Sequence, residues 1–269
     1  ILICLTAWCG PAAASEGALE INQDCAESGC FPGDAAGFPV TLTSGGAYRL
    51  TSDLAVSTAS NGIVIQTASK VDVDLGGFTL SGGGTCTDTP VTACSAGNGL
   101  NGVTSPSLAH VRLHNGTIRG FASSNVQLSQ LLDGSEFEDL LLTESVAVGF
   151  ASMSLSTTGT TGRTVLLRNV TVSRNRNVGI IASGTTTHYV IDGLVVSGNG
   201  GIGASLNQSA TIRGASFHRN GGFGISTTQV IALGNTSFFG NNGGSTANQF
   251  SITTLLNMGG VVCEDASCP

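Results

Sequence analysis

The sequence predicts an all-β solenoid of stacked, parallel coils. Three observations carry that expectation: a composition unsuited to helices, a short motif that recurs seven times in one polarity, and Gly, Asn or Asp at one fixed place in it. Of 269 residues 39 are Gly and only 10% are charged, against about a quarter in ordinary domains. Helix surfaces are built from Lys, Glu and Arg, so this chain cannot solvate many of them. Hydrophobic residues make up 41%, enough for a core and against wholesale disorder. The net charge is −7 and Lys70 is the one lysine. Nucleic-acid binding needs a basic face to neutralise phosphates, and this composition supplies none.

Taken in chain order, residues 1–14 read as the apolar core and small-residue cleavage site of a secretory signal, too short to span a bilayer. A lead-in over 15–40 follows, then the solenoid over 41–245 and a C-terminal cap or tail over 246–269. Without the signal, six cysteines remain as three close pairs, Cys25/Cys30, Cys86/Cys94 and Cys263/Cys268. Fifteen pairings are open to six cysteines, and proximity favours these local ones. They lack zinc-site spacing and contain no Cys-x-x-Cys, so they point to an oxidising compartment, periplasmic or extracellular, rather than to metal or redox chemistry.

The repeat begins at Leu75, Leu113, Phe137, Leu167, Ile191, Ile212 and Leu233. Its sixth column is always large and apolar, from Leu80 to Phe238. Its third is Gly77, Asn115, Asp139, Asn169, Gly193, Gly214 and Asn235, the residue types that tolerate positive φ at a bend. The ninth column of the last four repeats is Asn175, Asn199, Asn220 and Asn241, which stacking turns into an amide ladder. Starts are spaced by 38, 24, 30, 24, 21 and 21 residues. Short half-buried strands that close a coil every 20–25 residues and always run the same way give a parallel β-helix of seven to nine coils. The 38-residue interval then holds a corner excursion pinned by Cys86 and Cys94. Phe-rich last coils (Phe217, Phe223, Phe238, Phe239, Phe250) call for a cover, expected from Ile252 to Val262.

The runs Ala47-Tyr48-Arg49-Leu50-Thr51-Ser52-Asp53-Leu54, Val71-Asp72-Val73-Asp74-Leu75-Gly76-Gly77-Phe78 and Arg112-Leu113-His114-Asn115-Gly116-Thr117-Ile118-Arg119-Gly120 resemble secreted parallel β-helix proteins of the pectin-lyase-like superfamily. The resemblance covers about residues 40–245 and implies right-handedness and a carbohydrate connection. It says little about activity, since that superfamily hosts lyases, hydrolases, epimerases and non-catalytic proteins. Hydrolases of the family carry an adjacent Asp pair, a His-Gly and an Arg-x-Lys; its lyases carry an Arg-x-Pro. None of these occurs.

Register supplies the remaining candidates. The second column places Glu138, Arg168, Asp192 and Arg213 in alternating sign, and the eighth adds Glu144, Arg174 and Arg219. Glu138, Glu144, Arg168, Arg174, Asp192 and Arg213 therefore form a candidate polysaccharide-contact wall, with a cross-strand charge ladder as its structural counterpart. His114 and His218 sit in the second and seventh columns, without a second histidine at ligand spacing, and no metal site is expected. The sequons at Asn115, Asn169 and Asn235 follow from the bend column.

The expected function is a secreted or periplasmic β-helix that binds polysaccharide or serves as a surface scaffold, without cofactor, membrane span or chemistry of its own. The alternative is a polysaccharide lyase or glycoside hydrolase acting on an acidic polysaccharide, with Glu136, Glu138, Asp139 and Glu144 as an acid or calcium cluster. A third reading, an end-to-end assembly subunit, would show as length-distributed oligomers in light scattering.

Overall fold

The computed structural model describes residues 17–154, 163–184, 187–244 and 248–264. It is a parallel β-solenoid of about nine turns. Each full coil carries three strands, so three faces run along the stack. Face A contains Gly46–Leu50, Lys70–Asp74, Thr187–Asp192 and Ser209–Arg213, with the middle of Asn101–Arg119 and the first halves of Ser135–Thr143 and Arg163–Ser173. Face B follows it around the third-column bend and contains Thr79–Ser81, Val195–Ser197, Ser216–His218 and Ser237–Phe239. Face C contains Ile63–Ile65, Ser124–Leu131, Val148–Ser154 and Ala204–Leu206, and returns the chain to face A.

Alternation puts one side chain in two inside. Leu113, Phe137, Leu167, Ile191, Ile212 and Leu233 stack in register on face A and are buried. Leu80, Ile118, Leu142, Val172, Val196, Phe217 and Phe238 do the same on face B. Bends sit where the third column places them: Asn115, Asp139, Asn169 and Asn235 all have φ between 48° and 62°. The first repeat departs from its expected register. Leu113 lies beside Val73 rather than Leu75, although Thr117 does face Thr79. Gly76 and Gly77, at φ 61° and 80°, make that corner two residues longer, and a Cβ on Gly76 would meet the Leu50 carbonyl at 2.6 Å.

Asn175, Asn199, Asn220 and Asn241 are fully buried and bonded along the axis. Asn199 shows the pattern. Its Oδ1 accepts from the backbone N of Asn175 at 3.0 Å and from Asn175 Nδ2 at 2.9 Å. Its Nδ2 donates to Val172 O at 3.2 Å and to Asn220 Oδ1 at 2.9 Å. Asn220 and Asn241 repeat the arrangement, and the buried Gln249 Oε1 receives the last rung from Asn241 Nδ2 at 3.2 Å. One coil above Asn175 the ninth column is Ser145, and Asn125, reaching in from face C, donates instead to Asn175 Oδ1 at 3.3 Å.

The excursion in the longest interval is an antiparallel hairpin, Thr85–Thr87 against Ala93–Ser95, closed by the Cys86–Cys94 disulfide. It folds down the outside of the ladder corner. Val91 N donates to Gly198 O at 3.1 Å, and Arg174 Nη2 donates to Cys86 O. At the upper end the short helix Gln23–Ser28 carries the Cys25–Cys30 disulfide, and its Ala26 is buried against the core. At the lower end Phe250–Asn257 adds a further parallel layer beneath faces C and A, and Val262–Cys263 continues it on face B. The covering segment is thus a coil of its own, with Phe250 packed on Phe238 at 5.3 Å. Residues 1–14 and Cys268 lie outside the described residues.

Asn199→Leu and Asn220→Leu each orphan a buried backbone N–H and two amide partners, so each should cost about 1–3 kcal/mol. Thermal or denaturant unfolding beside a surface control such as Asn207→Leu measures this, and wild-type midpoints for both variants would contradict it.

Candidate functional site

The charged residues of the second and eighth columns do not form one wall. They form two rows, on either border of face B, because the bends at columns three and eight turn the chain between them. The A-side row starts higher than expected. Arg112 Nη2 meets Glu138 Oε2 at 2.9 Å, its Nη1 meets Asp72 at 3.3 Å and its Nε meets Glu136 at 3.5 Å. Arg168 Nη1 meets the other oxygen of Glu138 at 2.9 Å. His114 Nε2 lies 2.9 Å from Asp72, and Asp74 pairs with Arg49 at 3.4 Å. Asp192 lies in register between Arg168 and Arg213, yet among the described residues neither Asp192 nor Arg213 makes an ion pair. Arg168 reaches up to Glu138, which leaves the lower half of the row open.

Glu138 has a defined protonation state. Its hydrogen bond from Arg112, reinforced by Arg168, holds the carboxyl below its usual range even though burial works the other way. Arg112 is raised in turn, first by the same bond. A carboxylate clamped between two guanidiniums is charged at neutral pH and has no proton to give.

The second row is conformationally costly. Glu144, Arg174 and Arg219 have φ of 59°, 53° and 53°, where the other coils use Gly120, Gly198 and Gly240. A non-glycine residue in this region costs about 1–3 kcal/mol unless its surroundings hold it there. Two of the three have partners. Glu144 pairs with Arg119 at 3.1 Å and with Arg174 at 3.6 Å, and Arg174 also holds the hairpin. Arg219 has neither an ion pair nor a side-chain hydrogen bond among the described residues.

Between the rows, face B turns mostly small hydroxyl side chains outward, among them Thr117, Thr143, Thr171, Ser173, Ser197 and Ser216. Two clefts lie on this face. The upper one, ≈ 420 Å³, is bounded by Gln23, Asp53, Ser81 and Arg119. The lower one, ≈ 530 Å³, is bounded by Ser216, His218, Arg219, Phe239 and Glu264. Burial, then the Arg219 cation, hold His218 below its ordinary value, so it is neutral at pH 7. On face A, His188 contacts Ser209 Oγ at 2.9 Å and Thr211 Oγ1 at 3.1 Å; among the described residues no carboxylate is one of its hydrogen-bond partners, so it resembles a satisfied wall histidine more than half of a nucleophilic triad. Among the described residues no three His, Cys, Asp or Glu side chains converge as a metal-ligand set.

The structure adds Asp72, Asp74, Arg112, Phe239 and Glu264 to the candidate site residues. The alternations Val71-Asp72-Val73-Asp74 and Val111-Arg112-Leu113-His114 were the available signal, since they put carboxylates and cations on one outer face in adjacent coils.

No family model and no curated protein matches the sequence. Solved structures do match the fold. The enzymatically active domain of tailspike protein 2 from bacteriophage CBA120 superposes with a TM-score of 0.57 at 15% identity, covering 82% of this chain and 37% of that one. The full-length tailspike protein 2 from an Escherichia coli O157:H7 bacteriophage gives 0.53 at 13% identity, covering 82% and 33%. These are right-handed β-helix proteins, and this chain spans about a third of their length.

Because Glu138 is held down in the folded chain, its contribution to stability is complete above the ordinary carboxylate pKa and is lost as pH falls through the folded value. Melting temperatures of wild type and Glu138→Gln should therefore differ at neutral pH and converge in acid. A gap independent of pH would contradict the clamp.

Proposed function

We propose that this chain is a non-catalytic polysaccharide-binding β-helix whose glycan lies along face B, between the two charged rows. The arrangement of that face carries the reading. Hydroxyls at strand spacing both donate and accept, as sugar hydroxyls do, and Asp192, Arg213 and Arg219, which make no ion pair among the described residues, offer charged contacts on the borders. A repeating floor suits a repeating polymer, because successive coils present like groups about 4.8 Å apart. The tailspike likeness supports the β-helix fold on which this arrangement is built.

Chemistry fits less well. A hydrolase needs a carboxyl held neutral by a raised pKa, and a lyase needs a base beside a cation that neutralises a uronate. Glu138 is shifted the wrong way for an acid. Arg112, Arg119, Arg168 and Arg174 are already paired to carboxylates. The Cys25–Cys30 and Cys86–Cys94 disulfides support an extracellular or periplasmic setting. No helix among the described residues is long and apolar enough to cross a membrane.

A panel of neutral and acidic polysaccharides, scored for binding and for cleavage, tests this reading. Retention of at least one polymer is expected, weakened by Arg213→Ala, with no new reducing ends and no ultraviolet-absorbing unsaturated product in the presence of calcium. Reducing ends whose release is lost in Glu144→Gln, or an unsaturated product lost in Arg168→Ala, would make the chain an enzyme.

A further inference from the structure

The lower cleft of face B has a chemistry that the charged rows lack. Phe239 stands 40% exposed on its floor, in register with His218 one coil above. Ser237 Oγ and Ser216 Oγ are bonded to each other at 3.2 Å beside it. Arg219 borders the cleft above and Glu264 below, and the Glu264 carboxylate is fixed by a hydrogen bond from Gly240 N at 2.7 Å. The Arg219 stem and the Glu264 carboxylate flank Gly240: a Cβ placed there would sit 3.6 Å from Arg219 Cγ and 4.0 Å from Glu264 Oε2.

Two features call for a ligand. Arg219 occupies a left-handed position that the coils above and below fill with Gly198 and Gly240, and among the described residues its side chain makes no ion pair or hydrogen bond that would repay the strain. Among the described residues Phe239 is the largest exposed apolar side chain of face B, and polar groups line most of the cleft around it.

We infer that this cleft is a subsite for one neutral pyranose ring, stacked on Phe239 and bound through its hydroxyls by Arg219, Glu264 and the Ser216–Ser237 pair. The C–H face of a pyranose is weakly positive and meets the negative face of an aromatic ring. Its hydroxyls accept from a guanidinium and donate to a carboxylate, so one group of each sign suits them. A uronate at this place would have its carboxylate set against Glu264, with His218 uncharged and only Arg219 to oppose it. The inference rests on the polysaccharide-binding reading and names the sugar class at the lower end of face B.

Arg219→Gly and Phe239→Ala test it, with titration calorimetry against gluco-, manno- and galacto-oligosaccharides and against oligogalacturonate. Arg219→Gly relieves the backbone strain, so it should melt at or above the wild-type temperature while binding is weakened; a purely structural arginine would instead lower the melting temperature. Each variant should weaken binding of a neutral oligosaccharide about tenfold, the size of one good stacking or polar contact. Wild-type affinity in both variants would remove the subsite and leave the broader reading standing. Binding of oligogalacturonate alone would overturn the neutral assignment. No binding of any glycan by the wild-type chain would overturn both proposals together.

Discussion

The buried amide ladder at one corner is the interaction on which the rest of the architecture depends. Each Asn pairs with the coil before and the coil after through both its amide groups, and its oxygen also satisfies a corner N–H that no strand can reach. In a low-dielectric interior such a chain is stable only if every member is satisfied, so each coil must deliver its amide to the same place. Coil length is free to vary within that requirement: Asn175 and Asn199 are 24 residues apart, Asn199, Asn220 and Asn241 are 21 apart, and each of these rungs closes at 2.9 Å. The ladder also shapes the residue just before each rung. Arg174, Gly198, Arg219 and Gly240 all take positive φ to turn the following Asn inward. The outer charged row is thus a by-product of the inner ladder: where the corner residue is not glycine, its side chain projects outward beside face B.

The ladder weakens at one coil, and the structure covers it there. Ser145 cannot form a rung, its hydroxyl is left unpaired, and Asn125 supplies the missing donor from the neighbouring face. The disulfide-closed hairpin packs over the same corner, with both cysteine sulfurs 3.9 Å from Ser145 O and with contacts at Arg174 and Gly198 in the next two coils. Arg174 thereby joins three things: a strained corner, the Glu144 carboxylate and the excursion that shields the end of the ladder.

Much of this was legible in the sequence, because the columns are constrained by chemistry that tolerates few residue types. Positive φ restricts the third column to Gly, Asn and Asp, and the ladder admits only an amide, so register between coils could be read from Phe137 down to Leu233. The first repeat was less legible: Gly76-Gly77 fits the bend pattern, but its two extra corner residues show only in the backbone, and that shift hid the Asp72–Arg112–Glu138 cluster. Alternating charge at Glu138, Arg168, Asp192 and Arg213 was visible as register. Which of these would pair was not, since Arg168 has a carboxylate on either side and only three-dimensional packing turns it toward Glu138. Nor does a column alignment reveal that columns two and eight border a common face, because that depends on the angles of the corners between them.

The arrangement on face B follows from these constraints: hydroxyls on the strands, charged groups on the corners, and the Glu138 carboxylate kept ionised by Arg112 and Arg168. A crystal structure of the chain with an oligosaccharide that it retains would test that assignment most directly. A chain of sugar density is expected along face B, in contact with Thr171, Ser197 and Ser216 and ending over Phe239. Density on face C, or on the Asp72–Arg112 side of face A with face B empty, would contradict it.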